Sequence, residues 1–132
     1  MEYLYVDDDL HLEELKLSHS AMIYETIWEN RTFLRRWLPF VDQTRTQEDT
    51  RRYVSSILSE SEKKQNEVFT IWYKGEFAGL AGYKEMDYVN RKAEIGYWMA
   101  ERMQGKGIMT RTVRKMIDYG FRNLNFNRIQ IK

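Results

Sequence analysis

The sequence predicts an α+β domain: a mixed, mostly antiparallel sheet with flanking helices, in the order β-α-α-β-β-β-α-β. Three observations predict it. Apolar residues keep helical spacing over 20–39, 47–62 and 108–122, while β-branched and aromatic runs fill 68–99. A glycine-bearing loop, Arg102-Met103-Gln104-Gly105-Lys106-Gly107, then joins the last of those runs to the last helix. The chain of 132 residues is one domain's worth, 1–132, and contains no repeat or Pro/Gly/Ser linker.

The elements follow in order. Tyr3-Leu4-Tyr5-Val6 reads as a short strand, closed by an acidic turn at Asp7-Asp8-Asp9. From Ser20, Ile23, Ile27 and Leu34 recur at helical spacing, with Asn30 as an interruption and Pro39 as the stop. Thr46-x-x-Asp49 is a capping-box pattern opening a second helix that carries Tyr53, Val54, Ile57 and Leu58 inward. The period then changes to that of strands. Val68–Tyr73 and Phe77–Tyr83 form a hairpin around Lys74-Gly75-Glu76, and Ala93–Met99 is a third strand. Alternation there sets Glu94, Gly96 and Trp98 on one face and Ile95, Tyr97 and Met99 on the other. The helix from Ile108 turns Val113, Met116, Ile117 and Phe121 inward and Arg111, Arg114, Lys115 and Arg122 outward. Arg128–Ile131 is the last strand. The β-α-β crossover makes it parallel to Ala93–Met99, while the preceding strands form an antiparallel meander.

Composition removes several functions. The chain has no cysteine, so disulfide scaffolds, zinc ribbons and thiol nucleophiles are out. Two histidines, His11 and His19, sit in no motif and read as ordinary surface residues, so no metal is expected. No segment approaches the ~18 apolar residues of a membrane span, and the acidic start MEYLYVDDDL is unlike a secretory leader. A cytoplasmic protein without membrane partners is expected.

A net charge of +1 hides an asymmetry: residues 1–66 balance to −4 and residues 67–132 to +5. Glu101–Lys132 alone holds eight basic and two acidic residues, which suits a polyanion: nucleic acid, a membrane surface or a phosphorylated ligand. Strand, Gly-x-Gly, helix is a device for phosphate. Residues without side chains let the backbone approach, and the helix's first-turn amides bind anions. The donors here are the amides of Gln104 through Thr110, with Arg102 and Lys106 adding charge. Two familiar phosphate loops do not fit. A P-loop needs Ser or Thr after its lysine, and Lys106 is followed by Gly107. A dinucleotide fingerprint wants Gly or Ala at Thr110, inside an early βαβ unit.

The residues resemble the GNAT superfamily of N-acetyltransferases. Arg102-x-x-Gly105-x-Gly107 matches the Q/R-x-x-G-x-G/A loop by which that family holds the pyrophosphate of acetyl-CoA. Asn30-Arg31 with Leu34, Arg36-Trp37-Leu38-Pro39, Ala93-Glu94-Ile95-Gly96-Tyr97-Trp98, Gln104 through Thr110, and Leu124-Asn125-Phe126-Asn127-Arg128 resemble the subgroup that acetylates ribosomal-protein N-termini. The resemblance runs in the right order from residue 3 to 132.

It implies acetyl-CoA as donor, with pantetheine beside the main chain of Tyr97, Trp98 and Met99. The pyrophosphate would lie on Arg102, Gln104, Gly105, Lys106, Gly107, Ile108, Met109 and Thr110. Glu94 becomes the expected general base, since an acceptor amine must lose a proton before it attacks; its plain alternative is a strand carboxylate paired with Arg91 or Lys92. Asn30, Arg31, Leu34 and Trp37 would wall the acceptor site, with Trp37 and Phe40 also readable as core. The expected acceptor is a protein N-terminal α-amine, such as that of a ribosomal protein. A polyamine-like small amine is the alternative, as is a non-catalytic acyl-CoA-binding module. No nucleic-acid partner is expected, and a homodimer is compatible. Family members carry a further helix and two strands, the helix bringing a tyrosine acid for the departing thiolate. The resemblance therefore implies a domain lacking its C-terminal helix and strands, through an incomplete record or completion by another subunit.

Overall fold

The computed structural model describes residues 3–131, and confirms the α+β class with one strand more than the sequence pattern revealed. Six strands pair in sequence order: β1 (Tyr3–Tyr5), β2 (Leu10–Glu14), β3 (Glu67–Tyr73), β4 (Glu76–Asp87), β5 (Lys92–Met99) and β6 (Arg128–Ile131). All neighbours are antiparallel except β5 and β6, which are parallel across the crossover. The helices are α1 (Ser20–Glu29), α2 (Arg31–Leu34), α3 (Gln47–Glu62) and α4 (Ile108–Arg122).

The added strand is β2. Asp7-Asp8-Asp9 is the turn of a β1–β2 hairpin, in which the Asp7 carboxylate accepts the Asp9 amide at 2.9 Å. Leu10 and Leu12 point inward and are fully buried, while His11 faces out, stacked on Tyr3 with ring centres 4.7 Å apart.

The sheet is covered on both faces. One core joins Leu10, Leu12, Phe69, Ile71, Tyr83 and Ile95 to Ile108 and Met116 of α4. The other joins Leu80 and Trp98 to Ile23 and Ile27 of α1, Leu34 of α2 and Val54 of α3. The α1–α2 break falls at Asn30, as expected. The capping box opening α3 is formed: Asp49 N–H donates to Thr46 Oγ1 at 3.2 Å, and Asp49 Oδ2 accepts the Thr46 amide at 3.0 Å.

α4 differs in its inward face. The buried stripe is Ile108, Thr112, Met116 and Gly120, spaced by four, and Phe121 is 43% exposed rather than inward. A cross-tie fixes this stripe: the buried Tyr83 hydroxyl donates to the Met116 carbonyl at 2.6 Å. Burial pushes the Tyr83 phenol's pKa upward, so it stays protonated and able to donate. Among the described residues no helix is long and apolar enough to cross a membrane.

Candidate active site

β5 organises the site. Its residues Lys92–Ile95 pair with Arg128–Ile131 of β6, whereas Gly96–Met99 have no partner on that edge among the described residues. On the other edge β5 stays paired with β4 as far as Gly79–Met99. Trp98 and Met99 are buried on opposite faces, and Tyr97 is 41% exposed, so the three offer backbone more than side chain.

The loop follows at the same end. Met103 and Ile108 are buried and pin its two ends; Gln104, Gly105, Lys106 and Gly107 between them are exposed. Gly105 and Gly107 have φ of +79° and +72°, the left-handed region that favours glycine. Gly107 caps α4 without a side-chain acceptor. Among the described residues the amides of Gly105 through Thr110 donate to no backbone carbonyl and no side chain. Six consecutive N–H groups at a helix start are an anion cradle, and Lys106, with no ion-pair partner among the described residues, adds positive charge. Arg102 is turned aside, its guanidinium 3.4 Å from both Glu76 Oε1 and the Phe77 carbonyl.

One residue absent from the sequence-derived set governs the back of this loop. Arg111 donates from Nε to the Gly107 carbonyl at 3.2 Å, from Nη2 to the Lys106 carbonyl at 3.1 Å, and from Nη1 to Asp7 Oδ2 at 2.7 Å. The hydrogen bond from Arg111, then that from the Asp9 amide, holds the Asp7 carboxyl below its usual range. Spacing of four residues from Gly107 could have signalled the first contact, because helical side chains reach back over the preceding turn. Asp7, 104 residues away in sequence, carried no such signal.

On the α1–α3 face of β5 lies Glu94, half-buried, opposite Lys84 of β4 and Gln130 of β6 in register. The surface beside Gly96, on the same face as Glu94, is covered. A Cβ there would meet Lys84 Cε at 3.2 Å and Nζ at 3.3 Å, so the lysine chain lies across it.

The acceptor-wall residues divide. Asn30 is committed within the protein: Oδ1 accepts the Glu101 amide at 2.9 Å and Nδ2 donates to the Thr26 carbonyl at 2.8 Å, tying α1 to the start of the loop. Leu34 is in the core at 2% exposure, and so supports the wall from behind. Trp37 is 61% exposed, edge-on to Phe33 with centroids 5.0 Å apart, rather than core. Arg31 is exposed and lies over Trp28 at 4.1 Å. A cleft of about 540 Å³ lined by Glu14, Leu58, Asn66, Glu67 and Tyr88 lies at the end of the sheet opposite the glycine loop, level with Glu94 in the strand register. Among the described residues no group of three or more His, Asp or Glu is placed to hold a metal.

A cradle of free amides at the start of a helix, behind a strand that carries a carboxylate, defines a class: a domain that holds a phosphorylated ligand. The relatives make it specific. Residues 9–132 match the acetyltransferase (GNAT) domain, and the chain belongs to that family of acetyltransferases. It is 33% identical over 136 residues to the uncharacterized N-acetyltransferase p20 of Bacillus licheniformis, covering 100% of this chain and 73% of that protein. With the ribosomal-protein-serine acetyltransferase of Escherichia coli (strain K12) it shares 28% identity over 131 residues, 99% of this chain and 73% of the relative. The solved structure of RimL, a ribosomal alpha-N-protein acetyltransferase in complex with coenzyme A, superposes with a TM-score of 0.93 at 25% identity, covering 98% of this chain and 73% of that one.

Proposed function

We propose that the chain transfers the acetyl group of acetyl-CoA to the N-terminal α-amine of a protein such as a ribosomal protein, in the cytoplasm, through a ternary complex. The observation that carries the reading is the run of six undonated amides, Gly105 through Thr110, at the start of α4. The names of two relatives, a ribosomal-protein-serine acetyltransferase and RimL, support the acceptor class.

In this reading the loop amides, with Lys106 and Gln104, hold the pyrophosphate; Arg102 reaches it by leaving its long contacts to Glu76 and Phe77. The main chain of Tyr97, Trp98 and Met99 pairs with pantetheine. A β5 backbone N–H stabilises the negative charge that develops on the thioester oxygen. Glu94 removes the proton from the acceptor ammonium, directly or through water, so that the free amine can attack. The thioester C–S bond breaks, the amide C–N bond forms, and CoA leaves as the thiol. Arg31 and Trp37, both exposed, meet the residues that follow the acceptor amine.

Thiol release from acetyl-CoA across peptides of different N-termini, polyamines and small amines tests this. Release with free-N-terminal peptides is expected. Release only with polyamines would move the acceptor to small amines; CoA binding without release to any amine would leave a non-catalytic carrier module.

A further inference from the structure

The geometry points to Arg111 as the positioning residue that aims the pyrophosphate loop, with Asp7 as its anchor in the β1–β2 hairpin; the inference rests on the proposed use of that loop.

The argument starts from the peptide plane. In a planar trans peptide the C=O and N–H point in opposite directions. Arg111 takes the carbonyl of Lys106 at 3.1 Å and the carbonyl of Gly107 at 3.2 Å. Those two carbonyls belong to the same peptide planes as the amides of Gly107 and Ile108. The Gly107 carbonyl also accepts the Arg111 backbone amide at 3.1 Å, so the side chain's own effect falls on the Lys106 plane, where its grip turns the Gly107 N–H outward, toward the side where an anion would sit. The positive φ of Gly107 makes this control necessary. Glycine crosses between left- and right-handed regions at little cost, so without a tether the 106–107 peptide is free to turn over and present its carbonyl, an electrostatic repellent to phosphate.

The guanidinium is itself held. Nη1 donates to Asp7 Oδ2 at 2.7 Å, and the group lies over the Tyr73 ring at 5.7 Å. The pair is only about one-third exposed at each side chain, and Asp7 is fixed by the Asp9 amide of its own turn. Three donors on three acceptors in one planar fork is a geometry arginine supplies and lysine does not. Because three of its five N–H donors are turned onto two loop carbonyls and a carboxylate, Arg111 acts through the loop amides rather than as a phosphate ligand. The hairpin that supplies Asp7 thereby becomes part of the donor site, although it is distant in sequence.

Calorimetric titration with CoA and with pantetheine, which lacks the pyrophosphate, separates aiming from simple structural support. Arg111→Met keeps the packing stem and removes all three donors. It is expected to raise the Kd for CoA tenfold or more while leaving pantetheine within twofold of the parent. Arg111→Lys, which can reach one acceptor, is expected to fall between, as is Asp7→Asn; these two carry the test if Arg111→Met does not fold. Parent-like CoA affinity in folded Arg111 variants, or equal losses for CoA and pantetheine, would overturn the inference while leaving the proposed function intact. A parent protein that binds no CoA would remove both.

Discussion

Two glycines of the same sheet should respond in opposite ways to alanine, and the contrast tests the packing that holds β5 in place. At Gly79 of β4 an added Cβ would stand 2.1 Å from the Trp98 carbonyl oxygen and 2.8 Å from Met99 Cα. Both are backbone atoms, so the strands must part by roughly 1 Å, which strains the packing by about 1–3 kcal/mol. The ladder around Gly79–Met99 and Leu80–Trp98 loosens as well, at about 1 kcal/mol per hydrogen bond lost. Replacing glycine within a strand returns about 0.5–1 kcal/mol of backbone entropy. The net expectation for Gly79→Ala is a loss of about 2–3 kcal/mol. At Gly96 the three nearest atoms all belong to Lys84, with Cε and Nζ at 3.2 and 3.3 Å, the far end of an exposed, flexible chain. That chain can swing aside, so Gly96→Ala should remain within about 0.5 kcal/mol of the parent. Urea unfolding at constant m-value reads both. If Gly79→Ala lay within 1 kcal/mol of the parent, or Gly96→Ala cost as much, the clearance argument for β4 and β5 would be wrong.

Other expectations follow from single contacts. Thr46→Ala removes the α3 capping box and should cost about 1 kcal/mol in urea unfolding. The amides of Arg45 and Thr46 hold the Asp49 carboxyl below its usual range, so its contribution is present above the unfolded carboxylate pKa of about 3.9 and fades as pH falls through the lower folded value. Asp49→Asn should flatten that acid limb in thermal melts between pH 2 and about 5; an unchanged limb would remove Asp49 from it. Tyr83→Phe withdraws the donor from the buried Met116 carbonyl and should cost about 1–2 kcal/mol, loosening α4 where it backs the loop. Glu94→Gln should lower the transfer rate, read as thiol release from acetyl-CoA. A rate equal to the parent at every pH would dismiss Glu94 as the base.

The parts of this molecule that were legible in the sequence are those written locally. The capping box at Thr46 and Asp49 spans four residues and formed as read. The change of period at Val68, the hairpin at Gly75 and the strand–glycine–helix order of the site are also local. What escaped depended on partners far along the chain. β2 offers only Leu10 and Leu12 to an inward face, too short a pattern to separate from a loop. Its identity comes from pairing with Trp72, Ile71 and Thr70, some sixty residues later. Phe121 fits the apolar spacing of α4, but the small Gly120 is what lies against Ile129 and Tyr83, and this rotates the buried stripe and leaves Phe121 outside. Within the site, Gly105 and Gly107 were readable from their type, and Glu94 from alternation. Lys84 over Gly96 and Asp7 on Arg111 were not, because cross-strand and hairpin-to-helix contacts leave no mark in local spacing. Of the two readings of Trp37, its exposure rules out the core one; an aromatic after a helix stays ambiguous until the neighbouring elements show whether anything covers it.

The central claim is that this chain acetylates an N-terminal α-amine. The most direct measurement incubates it with acetyl-CoA and two lysine-containing peptides of one sequence, one with a free and one with a blocked N-terminus, and locates the product by tandem mass spectrometry. The account predicts one acetyl group on the first residue of the free peptide and none on the blocked one. Acetyl on the lysine side chain of both peptides would contradict it.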